Sequence, residues 1–162
     1  MRNRILLAAL LLIPLPALAQ PAAPPPAKLF GSAADVQALI AKAKAEHKSD
    51  SANTAEVVVT AQGYPMQLEY RTGTTPPSIH PGHAELIEVI DGSCTLITGG
   101  TLVGAKPGAP GAMTLNGTTI EGGSPRKIAK GDYILVPANT PHQYTDVQGL
   151  IMMTLHMPVE TK

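Results

Sequence analysis

Histidine is the residue in this chain best placed to do chemistry. There are five, and four of them, His80, His83, His142 and His156, fall in the later, strand-like part of the sequence. The segment Ser78, Ile79, His80, Pro81, Gly82, His83, Ala84, Glu85 brings two imidazoles and a carboxylate into one short stretch. Asn139, Thr140, Pro141, His142 puts a third imidazole at the entry to a late strand. Neutral imidazole with carboxylate suits a divalent first-row metal, Fe, Mn, Zn, Ni or Cu, and softness does not choose among them. From spacing alone, solvated loop histidines beside prolines are the simpler reading. The single cysteine, Cys94, excludes an intrachain disulfide and a zinc site built from several thiolates. There is no Gly-x-Ser-x-Gly elbow, no phosphate loop and no His-Glu-x-x-His.

Two longer patterns go further. Glu85 is followed after six residues by Gly92, and His80 stands five residues before Glu85. Gly131, Pro137 and His142 follow at the spacing G-x5-P-x-G-x2-H, with Asn139 in place of the internal glycine and Asp146 four residues after His142. Asn tolerates a left-handed turn best after Gly. In these two motifs the sequence resembles the cupin superfamily, whose first motif is G-x5-H-x-H-x3,4-E-x6-G and whose second ends H-x3-N. The resemblance implies an all-β fold, a cupin-type antiparallel β-barrel of jelly-roll form. It also implies metal ligands at His80, Glu85 and His142. The leading histidine of the first motif is Ser78 here, and the upstream Gly73 stands one residue too close. Three ligands with open positions still make a catalytic type of site. His83 is an additional candidate ligand, with a rim position favoured.

The remaining candidates rest on strand parity. Tyr144 shares parity with His142 and reads as a core ring, with proton donation as the alternative. Glu69 and Arg71 share one face of a strand and read as solvated. An inward Arg71 would instead suggest an anionic substrate. His156 shares parity with Met152 and Thr154, and lines a cavity or ends its strand at the surface with equal weight. Cys94 reads as a small core residue.

The elements that must position these groups are short. One helix is expected over 32–47, with Ser32 as N-cap, Asp35 in the first turn, and Val36, Leu39, Ile40 and Ala43 at helical spacing. It is alanine-rich and is expected on the outside of the domain. Beyond residue 55 the signal is all β. Met66, Leu68 and Tyr70 alternate with Gln67, Glu69 and Arg71. Segments 85–90 and 93–98 flank Asp91 and Gly92 and predict a hairpin. Residues 99–123 are expected as an added hairpin or loop over one end of the barrel, and 133–137, 142–147 and 150–157 as the last strands.

Composition sets the frame. Twelve basic and twelve acidic residues give zero net charge, which argues against nucleic acid as a partner. Arg2 and Arg4, the apolar run over 5–18, and Ala17, Leu18, Ala19 before Gln20 have the form of a signal peptide over 1–19. The product is then periplasmic or secreted, without a stable membrane anchor after cleavage. Its net charge is −2, because the leader removes two of the twelve basic residues. Residues 20–28 form a Pro/Ala-rich linker, and 29–162 the domain. The reading is a metal-dependent enzyme of dioxygenase, lyase or isomerase type on a small organic substrate. A non-catalytic barrel that binds a small ligand is the alternative. A homodimer is left open.

Overall fold

The computed structural model describes residues 26–160 except 62, 110 and 111. The leader expected over 1–19 and most of the linker expected over 20–28 lie outside the described residues. Among the described residues no helix is long and apolar enough to cross a membrane. The helix α1 (Ala33–Glu46) opens on a capping box, in which Ser32 Oγ accepts from Asp35 N at 3.1 Å and Asp35 Oδ2 accepts from Ser32 N at 2.9 Å.

The strands follow as β1 (Asn53–Ala61), β2 (Tyr64–Arg71), β3 (Ser78–Ile79), β4 (His83–Thr98), β5 (Thr101–Val103), β6 (Lys106–Pro107), β7 (Leu115–Asn116), β8 (Thr119–Glu121), β9 (Ser124–Ala129), β10 (Tyr133–Val136) and β11 (His142–Pro158). All pairings are antiparallel. One large sheet runs β1-β2-β11-β3-β7-β6, with β4 pairing β11, β9 and β10, while β5 and β8 form a separate ribbon. The fold is an all-β antiparallel barrel with one N-terminal helix.

Two apolar layers result from the two-residue period of the strands. Inside the barrel Ile87, Val89, Cys94, Leu96, Ile128, Val136, Tyr144, Leu150 and Met152 form one buried cluster. On the outside, Ala43 of the helix packs with Val58, Leu68 and Ile151, flanked by Val36, Leu39, Ile40 and Tyr70. The helix therefore covers the outer face of β1, β2 and β11.

That arrangement corrects the reading of β2. Leu68 and Tyr70 pack under the helix, so the alternate residues Glu69 and Arg71 turn into the barrel instead of to solvent. The pattern of alternation was right. The side that faces water was not, because the helix occupies the outer face.

The hairpin at Asp91 and Gly92 is also corrected. β4 runs through this point as one strand, and β11 likewise joins the two segments expected over 142–147 and 150–157. The halves of β4 pair with β11 and not with each other, and the register shifts three times between Thr145 and Met152. Gly92 (φ 75°), Asp146 (φ 51°) and Gly149 (φ 55°) supply the left-handed residues of this shared bend. A Cβ on Gly92 would collide with the carbonyl of Gly149.

Candidate metal centre

Two strand ends and one strand interior build the site. His142 opens β11, directly opposite Ser78 of β3 and Thr98 of β4. Glu85 lies on β4 opposite His156 of β11 and Val136 of β10. His80 follows β3 in the turn that leads into β4. Asn139 ties that turn to the loop preceding His142. It holds a left-handed conformation (φ 61°), its N donates to the His80 carbonyl at 3.3 Å, and its Oδ1 accepts from Gly82 N at 3.1 Å.

His80, Glu85 and His142 each present a ligand atom, and these atoms all lie within 4.8 Å of one another. Nε2 of His142 is 3.2 Å and Nε2 of His80 is 3.6 Å from Glu85 Oε2. Each ring is fixed from behind. His142 Nδ1 faces the Thr140 carbonyl at 3.2 Å, and His80 Nδ1 faces the Met113 carbonyl at 3.3 Å and Thr114 Oγ1 at 3.1 Å. A carbonyl only accepts, so Nδ1 carries the proton in both neutral rings and the Nε2 lone pair points at Glu85. Two lone pairs and a carboxylate oxygen then converge. Glu85 Oε2 is buried and has no hydrogen-bond partner among the described residues. Such a cluster of acceptors is stable only around a cation, whether protons on the imidazoles or a metal. Carbonyl-backed imidazole is also how metal-binding histidine is usually oriented. The donor set therefore fits a divalent transition metal held by His80, Glu85 and His142. Burial pushes the Glu85 carboxyl up, but the neighbouring His142, His156 and His80 imidazoles outweigh it and hold the group well below the usual carboxylate range.

These groups line a cavity of about 240 Å³. Arg71 and Tyr144, the weaker candidates, both face it. Arg71 is paired with Glu69, with Nη2 2.6 Å and Nε 2.8 Å from Oε2. Burial works against its charge, but the Glu69 carboxylate raises the guanidinium above its ordinary value. Glu69 also accepts from Asn53 Nδ2 at 3.2 Å and Thr154 Oγ1 at 3.1 Å. The Arg71 guanidinium lies 4.3 Å from the centroid of the Tyr144 ring. The Tyr144 hydroxyl has no partner among the described residues. Burial above all, then the nearby Glu85 charge, pushes its pKa well above the ordinary phenol value.

His83 is not brought to the cluster. Its Nδ1 bonds the Pro81 carbonyl at 2.8 Å, and its ring neighbours Tyr64. Cys94 is buried in the inner cluster, and burial raises its thiol to about 11, so it is no nucleophile at neutral pH. His156 does reach the cavity, with its ring centroid 4.1 Å from that of His80. Thr114 and Asn116 also line the cavity. They come from the insertion over 99–123, whose Pro- and Gly-rich sequence gives no sign of a role beside the site. Asn53 sits at the start of β1, at the end of a polar run that reads in sequence as a loop.

No family model and no curated protein matches the chain. Solved structures do. Hydroquinone 1,2-dioxygenase from Sphingomonas sp. TTNP3, with 4-hydroxybenzoate bound, is similar at 14% identity over 75% of this chain and 73% of that one, with a TM-score of 0.54. KdgF from Halomonas sp. is similar at 14% identity over 70% and 87%, with a TM-score of 0.49. The hydroquinone 1,2-dioxygenase PnpCD, in complex with Cd2+ and 4-hydroxybenzonitrile, is similar at 22% identity over 62% and 61%, with a TM-score of 0.48. At 14% identity the likeness to the Sphingomonas dioxygenase speaks for the fold alone, and together with the barrel and the two motifs it shows that this chain folds as a cupin.

Proposed function

We propose that this chain is an exported, metal-dependent enzyme that acts on a small organic substrate, with chemistry of the dioxygenase, lyase or isomerase type. One observation carries the reading: three ligand atoms, from His80, Glu85 and His142, converge within 4.8 Å at the wall of a cavity. A divalent metal held there supplies Lewis acidity toward a substrate oxygen. The chain's own groups do the rest. Tyr144 stays protonated at neutral pH and offers its hydroxyl proton to the cavity. Asn53 Oδ1, also buried and without a partner among the described residues, offers an acceptor. Glu69 and Arg71 neutralise each other, and Arg71 holds the Tyr144 ring in place. The cavity is smaller than the usual range for drug-sized ligands, about 300–1,000 Å³, which favours a compact substrate.

Metal analysis of the purified protein tests this. The expected result is one divalent metal per chain, lost in His80→Ala and His142→Ala and retained in His83→Ala. A wild type that binds no divalent metal under any condition sinks the enzyme reading and leaves a non-catalytic ligand-binding barrel. Export rests on the leader sequence. Mass spectrometry of the native protein should find a chain that begins at Gln20, and a full-length cytoplasmic product would contradict it.

A further inference from the structure

His156 belongs to neither motif, and it comes from the far half of β11, fourteen residues beyond His142. Its position in the barrel follows from register. On β11 the inward residues alternate as Leu150, Met152 and Thr154, and His156 is next in that row. There it stands directly opposite Glu85 on β4. Its Nε2 is buried and has no hydrogen-bond partner among the described residues. That atom lies 3.7 Å from Glu85 Oε1, too long for a hydrogen bond.

The distance has another meaning. Two atoms bonded to one metal at about 2.0–2.2 Å are separated by about 3–3.7 Å for angles between a right angle and 120°. The three imidazole nitrogens of His80, His142 and His156 stand 3.6, 3.2 and 3.7 Å from the oxygens of Glu85. All three separations fall in or at the edge of that range. The His156 nitrogen faces Oε1, while the other two face Oε2. His156 is not among the three ligand atoms that already lie within 4.8 Å of one another, so it would join them through the second carboxylate oxygen. Ser78, at the position of the first motif's leading histidine, also lines the cavity but offers a hydroxyl and no imidazole. Its Oγ lies 3.2 Å from His142 Nε2 and, with that ring's proton on Nδ1, is the donor of the pair in the metal-free site.

We infer that His156 is the third imidazole of the metal centre, so that the site is completed from the last strand and holds three histidines and one carboxylate. The inference rests on the metal reading above and concerns which side chains make up the ligand set.

The test uses the full-length mature protein loaded with Cu2+ or Co2+ and counts imidazoles by pulsed electron paramagnetic resonance and by the ligand-field spectrum. The wild type is expected to show three coordinated imidazoles. His156→Ala is expected to show two, with metal dissociation faster and affinity lower by more than about 100-fold, beyond the 10–100-fold typical of an outer-shell residue. His156→Gln serves where the alanine variant folds poorly, and both are compared with wild type by unfolding without metal. Two imidazoles in the wild type, or unchanged affinity in a folded His156 variant, overturn the inference and leave the three-ligand site standing. A wild type that takes up no metal overturns this inference and the metal reading together.

Discussion

Tyr144 and Arg71 show how a single side chain is decided by what covers the opposite face of its strand. The Tyr144 hydroxyl is buried without a partner among the described residues, so its removal gives up no hydrogen bond. Tyr144→Phe is expected to leave the denaturant midpoint unchanged or to raise stability by about 1–2 kcal/mol, since an unsatisfied buried polar group is itself unfavourable. The same variant should bind cavity ligands more weakly, and an equilibrium unfolding curve beside a ligand titration separates the two effects. Arg71→Met is expected to destabilise by about 3–5 kcal/mol, because it strands the Glu69 carboxylate in the barrel. Adding Glu69→Gln should recover part of that loss, which a double-mutant cycle measures. At this scale the spacing of His80, Glu85 and His142 was legible, because motif spacing records where strands begin. The inward turn of Arg71 was not, because parity tells which residues share a face and not which face meets water. The cavity position of His156 is evenly balanced in sequence against a surface one. It depends on a strand pairing with Glu85, seventy-one residues away in sequence.

Strands and turns carry the next level. β4 and β11 bend together where Gly92 meets Gly149, and the two glycines differ sharply in surroundings. A Cβ on Gly149 meets nothing within 4 Å, whereas one on Gly92 strikes the backbone of Gln148 and Gly149. Gly149→Ala should therefore cost only the left-handed conformation, about 1–2 kcal/mol. Gly92→Ala should cost distinctly more, and the two thermal or denaturant midpoints compared side by side check it. Asn139 is a similar case with a twist. Asn139→Gly keeps the backbone relaxed but loses the Gly82 hydrogen bond, about 1 kcal/mol. Asn139→Val loses that bond and adds about 1–2 kcal/mol of backbone strain. Equal midpoints for the two variants would contradict the φ of 61°. The second motif exposed the Asn139 turn because its substitution follows a conformational rule. The bend at Asp91 and Gly92 was misread as a hairpin because the same dipeptide supplies positive φ for a tight turn and for a bulge. Only the partner strand distinguishes them.

For the molecule as a whole, stability should depend on pH and metal through one site. Burial lowers the His156 pKa, but the Glu85 carboxylate beside it more than offsets that, so the folded value lies above the ordinary 6.5. A raised value stabilises the fold below pH 6.5 and is lost as pH rises through the folded pKa. The depressed Glu85 works the other way. It stabilises above its ordinary value of 4.5 and fails as pH falls through its lowered one. Metal-free protein should thus be most stable in mildly acidic buffer and lose stability above it, a loss that His156→Gln reduces. Metal reverses the trend. Imidazole must be neutral to bind, so uptake should weaken below about pH 6.5. Free metal a hundredfold above its dissociation constant should add about 2.7 kcal/mol, read as a shift in the unfolding midpoint that a chelator removes. The helix was readable at this scale from its cap and apolar spacing, while the layer it covers was not, since that depends on the closed barrel. The double duty of β2 has a consequence for descent. Leu68 and Tyr70 answer to Val36, Leu39 and Ala43 of the helix, whereas Glu69 and Arg71 answer to Asn53, Tyr144 and Thr154 around the cavity. Neighbouring codons of one short strand should therefore answer to separate constraints. Lineages that change ligand should exchange positions 69 and 71 as a set, and lineages that remodel the helix should drift at 68 and 70 while the cavity stays constant.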